Sequence, residues 1–137
     1  VLEGHRGALL VASFSPDGRE LLTGSGDDTA KLWSAASGEC LHTLQGHQGA
    51  VNSATFSPDG QHILTASGDR KAKLWSVASD ECRRTFQGHR GAVNSASFSP
   101  DGRQLLTASR DCSAKLWSAI SGECLHTLEG HRALLTS

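Results

Sequence analysis

The 137-residue sequence contains no methionine and no tyrosine, only three prolines, and no excess of either charge. Each shortage excludes something. Without a methionine the first residue is not a natural start, so the chain is expected to be a segment of a larger protein or a trimmed piece. Thirteen basic residues against 14 acidic ones give a formal net charge of −1. That balance leaves no basic stripe for nucleic acid or for an anionic membrane surface. No apolar run is long enough to span a bilayer; the run that opens at Ala8 ends before Ser13. No Cys-x-x-Cys motif is present, and a chain without a secretory leader in an intracellular, cytoplasmic setting is expected.

What the sequence does contain is repetition. Gly-His recurs at Gly4-His5, Gly46-His47, Gly88-His89 and Gly130-His131, always 42 residues apart. Trp33, Trp75 and Trp117 keep the same period, as do Pro16, Pro58 and Pro100, each within Phe-Ser-Pro-Asp-Gly. Residues 4–45 and 88–129 share 32 of 42 positions, and each shares 26 or 27 with residues 46–87. Three full units of 4–45, 46–87 and 88–129 are therefore expected. Residues 1–3 match the end of a preceding unit and residues 130–137 the start of a further one.

Within a unit the apolar runs are short and turn signals separate them. In the second, four strands are expected near 50–57, 61–67, 72–76 and 82–87. Pro58 presets φ in the first turn and Gly60 tolerates a positive φ there. Leu74-Trp75 are adjacent apolar residues on a short strand, so both faces of the sheet are expected to be buried. A lone four-stranded sheet of that kind cannot stand in water. It needs a like neighbour on each side, and radial stacking of such sheets is the β-propeller solution. The fold class expected is all-β, with three four-stranded antiparallel propeller blades.

Gly-His, Phe-Ser-Pro-Asp-Gly, Ser-x-Asp and Lys-Leu-Trp occur in that order in all three units. The chain thereby resembles the WD-repeat β-propeller family along almost its whole length. One departure is consistent: Ser34, Ser76 and Ser118 follow the tryptophans where the family usually has aspartate. The resemblance implies a structural hydrogen-bond network in each blade, formed by His5, Ser25, Asp27 and Trp33, by His47, Ser67, Asp69 and Trp75, and by His89, Ser109, Asp111 and Trp117. The chemistry is consistent with that assignment. An indole N–H only donates, so the serine hydroxyl is expected to accept it, with histidine and aspartate completing the chain. A hydrolase triad is the competing reading of Ser, His and Asp. Its threefold recurrence, and a hydroxyl already committed to an indole, argue against catalysis.

Other constellations are weak. Cys40, Cys82 and Cys124 are equivalent and Cys112 stands apart in a turn. Equivalent positions on neighbouring blades lie beyond disulfide reach, so reduced thiols are expected, partly buried on the fourth strands, with Cys112 the more exposed one. No histidine pair has metal-ligand spacing, and neither metal nor cofactor is expected. The unit-to-unit differences at Asp28-Thr29, Arg70-Lys71 and Cys112-Ser113 read either as drift on solvated turns or as partner contacts carried by the turns of one rim.

The resemblance further implies a non-catalytic protein–protein interaction scaffold whose narrower face binds proteins or peptides. The matching positions are Ala8, Leu10 and Gly26, then Ala50, Asn52 and Gly68, then Ala92, Asn94 and Arg110. A sensor or regulatory segment of a larger signalling enzyme, such as a kinase or ATPase, is the alternative. Three blades make an open arc with an apolar face at each end. The chain is thus expected to be part of a longer propeller or half of a six-bladed ring closed by dimerisation, and to self-associate in isolation, a dimer being favoured.

Overall fold

A computed structural model describes residues 4–79 and 81–129, so the expected end pieces 1–3 and 130–137 lie outside the described residues. Twelve strands occur among the described residues and no helix. The first sheet comprises β1 (Leu9–Phe14), β2 (Glu20–Ser25), β3 (Ala30–Ser34) and β4 (Cys40–Leu44). The second comprises β5 (Val51–Phe56), β6 (His62–Ser67), β7 (Ala72–Ser76) and β8 (Cys82–Phe86). The third comprises β9 (Val93–Phe98), β10 (Gln104–Ser109), β11 (Ala114–Ser118) and β12 (Cys124–Leu128). Each is an antiparallel meander in chain order, with every strand beside its sequence neighbour.

Local chemistry sets the turns. In Ser57-Pro58-Asp59-Gly60 the serine hydroxyl donates to Asp59 Oδ1 at 2.6 Å, and the same oxygen accepts the Gln61 N–H. Gly60 then takes φ +74°, which an L side chain rarely tolerates. The other two units repeat this turn with Asp17 and Asp101.

The sheets stack through two hydrophobic cores, one at each junction. Leu22, Leu32 and Leu44 of the first sheet meet Val51, Phe56, Ile63 and Trp75 of the second. Leu64, Leu74 and Phe86 on the opposite face of the second sheet meet Val93, Leu105 and Trp117 of the third. Adjacent residues Ile63 and Leu64 thus enter different cores, as the two-residue period of a strand requires. The first strands pack together, β1 on β5 and β5 on β9, so the sheets fan out from that line. The Gly-His loops and the β2–β3, β6–β7 and β10–β11 turns form one rim, here the upper. The Ser-Pro-Asp-Gly turns form the lower rim.

Among the described residues the two end faces of the stack have no such neighbour. Phe14 is 66% exposed, whereas its counterpart Phe56 is 8% exposed. Leu128 is 54% exposed, whereas its counterpart Phe86 is 2% exposed. Leu9 and Leu106 are likewise exposed where Val51 and Leu64 are fully buried.

One expectation about the outer strands is corrected. Cys40, Cys82 and Cys124 are free and exposed, and Cys112 is the half-buried one. The fourth strand of each sheet pairs on one side only, and its leading residues project past the packed faces. Cys112 instead sits at positive φ (69°) in a turn whose backbone folds against Ser109.

Candidate functional site

The polar residues common to all three units converge at the upper end of each sheet. In the second blade His47 Nδ1 lies 2.8 Å from Asp69 Oδ2, and His47 Nε2 lies 2.6 Å from Thr65 Oγ1. The Trp75 indole N–H donates to that same Thr65 hydroxyl at 2.9 Å. Thr65 therefore accepts from the indole and donates to Nε2, while Nδ1–H donates to the carboxylate: a neutral imidazole in one defined tautomer. The first blade repeats the chain as Trp33–Thr23–His5–Asp27, and the third as Trp117–Thr107–His89–Asp111.

The expected acceptor of the indole is thereby corrected from serine to threonine. Ser25, Ser67 and Ser109 are fully buried at the ends of their strands and take a different part. Each accepts the backbone N–H of the aspartate two residues on, and Ser67 and Ser109 donate to the Gly49 and Gly91 carbonyls. They stitch the Gly-His loop to the turn rather than to the tryptophan. The tryptophan lies opposite Ile63, and its ring reaches the next same-face residue of β6, Thr65, not the one beyond. The loop comes so close that a Cβ on Gly49 would sit 2.7 Å from the Asp69 nitrogen.

Each aspartate is a hub. Asp69 Oδ2 also accepts the Gln48 N–H, and Oδ1 accepts the Lys71 N–H. In the first and third blades a hydroxyl joins them: Thr29 to Asp27 at 2.6 Å and Ser113 to Asp111 at 2.5 Å. Thr29 and Ser113 stand in turn positions expected to drift in solvent, yet Ser113 is buried and both hydroxyls complete a network. Burial raises the aspartate pKa values, but the hydrogen bonds outweigh it and hold Asp27, Asp69 and Asp111 below the ordinary carboxylate value. Burial depresses His47, only partly offset by Asp69. Among the described residues no buried side-chain nitrogen or oxygen lacks a partner, and no three metal-ligating side chains gather.

The residues after the tryptophans bond locally as well. Ser34 and Ser118 hydroxyls accept the N–H of Ser37 and Ser121 and cap the following turn, and Ser76 is buried.

The candidate binding positions line the upper rim. Backbone hydrogen bonds join them in pairs: Gly26 to Ala8, Gly68 to Ala50 and Arg110 to Ala92, each at 2.9 Å. Leu10, Gly68 and Arg110 are exposed, with Ala8 and Gly26; Ala50, Ala92, Asn52 and Asn94 are half-buried. Asn52 is already engaged, donating to the Val93 carbonyl of the next blade at 3.2 Å. The Arg110 side chain makes no hydrogen bond or ion pair among the described residues.

Fanned four-stranded sheets, each locked by a Trp–Thr–His–Asp chain, are blades of a WD-repeat propeller. The family model "WD domain, G-beta repeat" matches residues 1–34, 38–76 and 80–118, and the chain belongs to that family. Repeats of this kind are generally protein-interaction scaffolds. Among curated relatives, WD repeat-containing protein 86 of Homo sapiens is 58% identical over 40 residues, 29% of this chain and 11% of that protein. The Notchless protein homolog of Arabidopsis thaliana is 56% identical over 32 residues, 23% of this chain and 7% of its own length. Eukaryotic translation initiation factor 3 subunit I of Pyricularia oryzae is 45% identical over 40 residues, 29% of this chain and 12% of that protein. The matched stretch is thus about a tenth of each relative's length.

Two expectations follow. Thr65→Val keeps the shape but leaves the Trp75 N–H and His47 Nε2 unpaired in the interior. It is expected to lower unfolding free energy by about 1–3 kcal/mol. An unchanged denaturant midpoint would remove Thr65 from the network. The second concerns pH. Because the His47 pKa is lowered in the fold, the unfolded chain binds more protons below the ordinary histidine value of 6.5. Its contribution to stability is complete above that value and declines as pH falls through it. The depressed Asp69 adds a further decline below its ordinary 3.8. Denaturant midpoints are expected to be lower at about pH 5.5 than at about pH 7.5, and equal midpoints would contradict the neutral, buried imidazole.

Proposed function

We propose that this chain is a non-catalytic platform that holds a protein or peptide on its upper rim. The observation that carries the reading is the division of labour at that rim. The acid–base groups of each blade are spent on one another, while Leu10, Gly26, Gly68 and Arg110 face outward on a hydrogen-bonded frame. Binding residues concentrate on loops and strand ends held by a rigid scaffold, and an arginine without a side-chain partner among the described residues is a common anchor of such surfaces. Four free thiols fit the intracellular setting in which this platform would work. The test is affinity capture with the parent and with Leu10→Asp/Arg110→Ala, bound proteins being quantified by mass spectrometry. A defined set of proteins is expected to be lost by the variant while its denaturant midpoint stays unchanged. Retention of the same set would move the binding surface elsewhere.

The end faces support self-association of the isolated chain. The face with Phe14 and Leu9 has the positions by which the second blade receives the first, and the face with Leu106 and Leu128 has those by which it receives the third. A third blade of one copy set against the first blade of another would repeat a junction the chain already makes twice, and two copies would complete six blades. At micromolar concentration, sedimentation is expected to give a species heavier than 14.4 kDa that Phe14→Glu reduces. A well-folded 14.4 kDa parent monomer would refute the closure.

A further inference from the structure

The lower rim carries a cavity of about 250 Å³ at the junction of the second and third blades. Its apolar wall is Leu74, Phe98, Ala119 and Ile120, and Asp59 and Asp101 stand among its lining residues with His62. The corresponding space between the first and second blades has a similar volume, about 260 Å³, but a more polar lining: Asp17, Glu20 and Asp59 stand beside Val77 and Ala78, and no phenylalanine is reached. The cause is visible in the repeats. Ala119 replaces Val77, which packs against the core that holds Phe56, and Phe98 is half-buried where Phe56 is buried.

Other departures from the repeat pattern meet at this place. Ile120 replaces Ala78 and is 71% exposed, a large apolar side chain at the cavity edge. Arg84 replaces the histidine of the other units. Its guanidinium reaches across the junction and donates to the Ile120 and Ser121 carbonyls, which fixes the turn that presents Ile120. His62 stands where the first unit has Glu20. At the first junction the equivalent positions are Glu20, His42, Val77 and Ala78, so all four differ between the two junctions.

We propose that this cavity binds a peptide segment of a partner protein, seating one aliphatic side chain that is flanked by lysine or arginine. The volume is below that of sites for cofactors and drug-sized ligands and suits a single side chain. The aliphatic preference comes from Leu74, Phe98 and Ile120. The basic preference comes from charge. Two carboxylates line the cavity and, among the described residues, no lysine or arginine does. The Ser57 hydroxyl and the Gln61 N–H hold Asp59 ionised, and the Ser99 hydroxyl and the Arg103 N–H do the same for Asp101. Arg103 lies near Asp101 but outside the cavity, and Arg84 is spent on the turn carbonyls. This site is separate from the upper rim, and its test does not involve that surface.

The chain has only two isoleucines, Ile63 and Ile120. Ile63 is fully buried in the first core, so an isoleucine-methyl NMR spectrum contains one reporter of the cavity and one internal reference of the fold. The probes are acetyl-Arg-Leu-Arg-amide and acetyl-Glu-Leu-Glu-amide. The basic peptide is expected to shift the Ile120 methyls saturably, with a dissociation constant on the order of 1 mM or tighter, and to leave Ile63 unmoved. The acidic peptide is expected to bind at least about tenfold more weakly, and Asp59→Asn/Asp101→Asn to abolish that difference. Ala119→Val restores the volume found in the second blade and is expected to remove the Ile120 response while the Ile63 methyls remain in place. Equal response to both peptides, a response that survives Ala119→Val, or no saturable shift would overturn the proposal. So would an Ile120 shift that follows protein concentration rather than peptide, because the occupant would then be a second copy of the chain.

Discussion

A sheet with two apolar faces cannot be satisfied by one neighbour, and the rest of this molecule follows from that constraint. In β6 the successive residues Ile63 and Leu64 enter opposite cores, and in β7 Leu74 and Trp75 do the same. The second blade is therefore finished only because it has a blade on each side. The first and third are finished on one face each, and their outer faces keep Phe14 and Leu128 in contact with solvent. Stability in such a stack belongs to junctions more than to units. With both faces occupied, only the rims and the outer edge remain for anything else the chain does.

Junction packing alone does not fix the loop that carries the chain from one blade to the next. The Trp–Thr–His–Asp chain supplies that tether. Asp69 collects N–H groups from Gln48 in the loop and Lys71 in the turn, and His47 links it to the strand pair through Thr65. Satisfied networks of this kind offset the cost of burying polar groups and make the loop geometry unique. They also remove the chemistry a reader of the sequence notices first. A histidine beside an aspartate and a hydroxyl has the composition of an acid–base device, but each proton here is already shared between fixed partners. That commitment of the acid–base groups is what the proposed recognition role at the rims rests on.

Much of this was readable because the sequence states it three times. Strand positions, the Ser-Pro-Asp-Gly turns and the two-sided burial of β6 and β7 all followed from periodicity and turn chemistry. The error over the indole acceptor has a specific source. Thr65 and Ser67 are two residues apart on one strand, point to the same face and recur unchanged in every unit. Only the register, Trp75 opposite Ile63, places the threonine one diagonal step from the ring and the serine two. Register is a property of paired strands and was not accessible from one. The exposure of the cysteines has a different source: each opens a fourth strand whose first residues are exposed, and from Cys82 to Phe86 only the last is buried, so a short apolar run does not mark where along it packing begins. Thr29 and Ser113 vary between units without being solvent-exposed, so variation at a turn is not by itself a sign of exposure. Both residues keep a hydroxyl, and that shared chemistry was the available signal.

The repeats also act as internal controls on one another. Thr23, Thr65 and Thr107 hold equivalent places, as do the three histidines and the three tryptophans, and a change at any of them would strand a buried partner. Where the units differ, the differences fall on turns and outer strands, and on the first two strands at positions such as Leu9/Val51 and Leu21/Ile63, where one apolar side chain replaces another and no buried polar partner is stranded. Lys71 shows the limit of that tolerance: Asp69 loses the hydroxyl its counterparts keep, yet retains its three other links. An array built this way separates two demands that compete in most proteins. The repeated network and turn positions fix the geometry of each blade, so the other positions can differ from blade to blade within the limits of apolar packing. A near-symmetric stack thereby acquires rim and junction surfaces that are not symmetric, which recognition of a single partner requires.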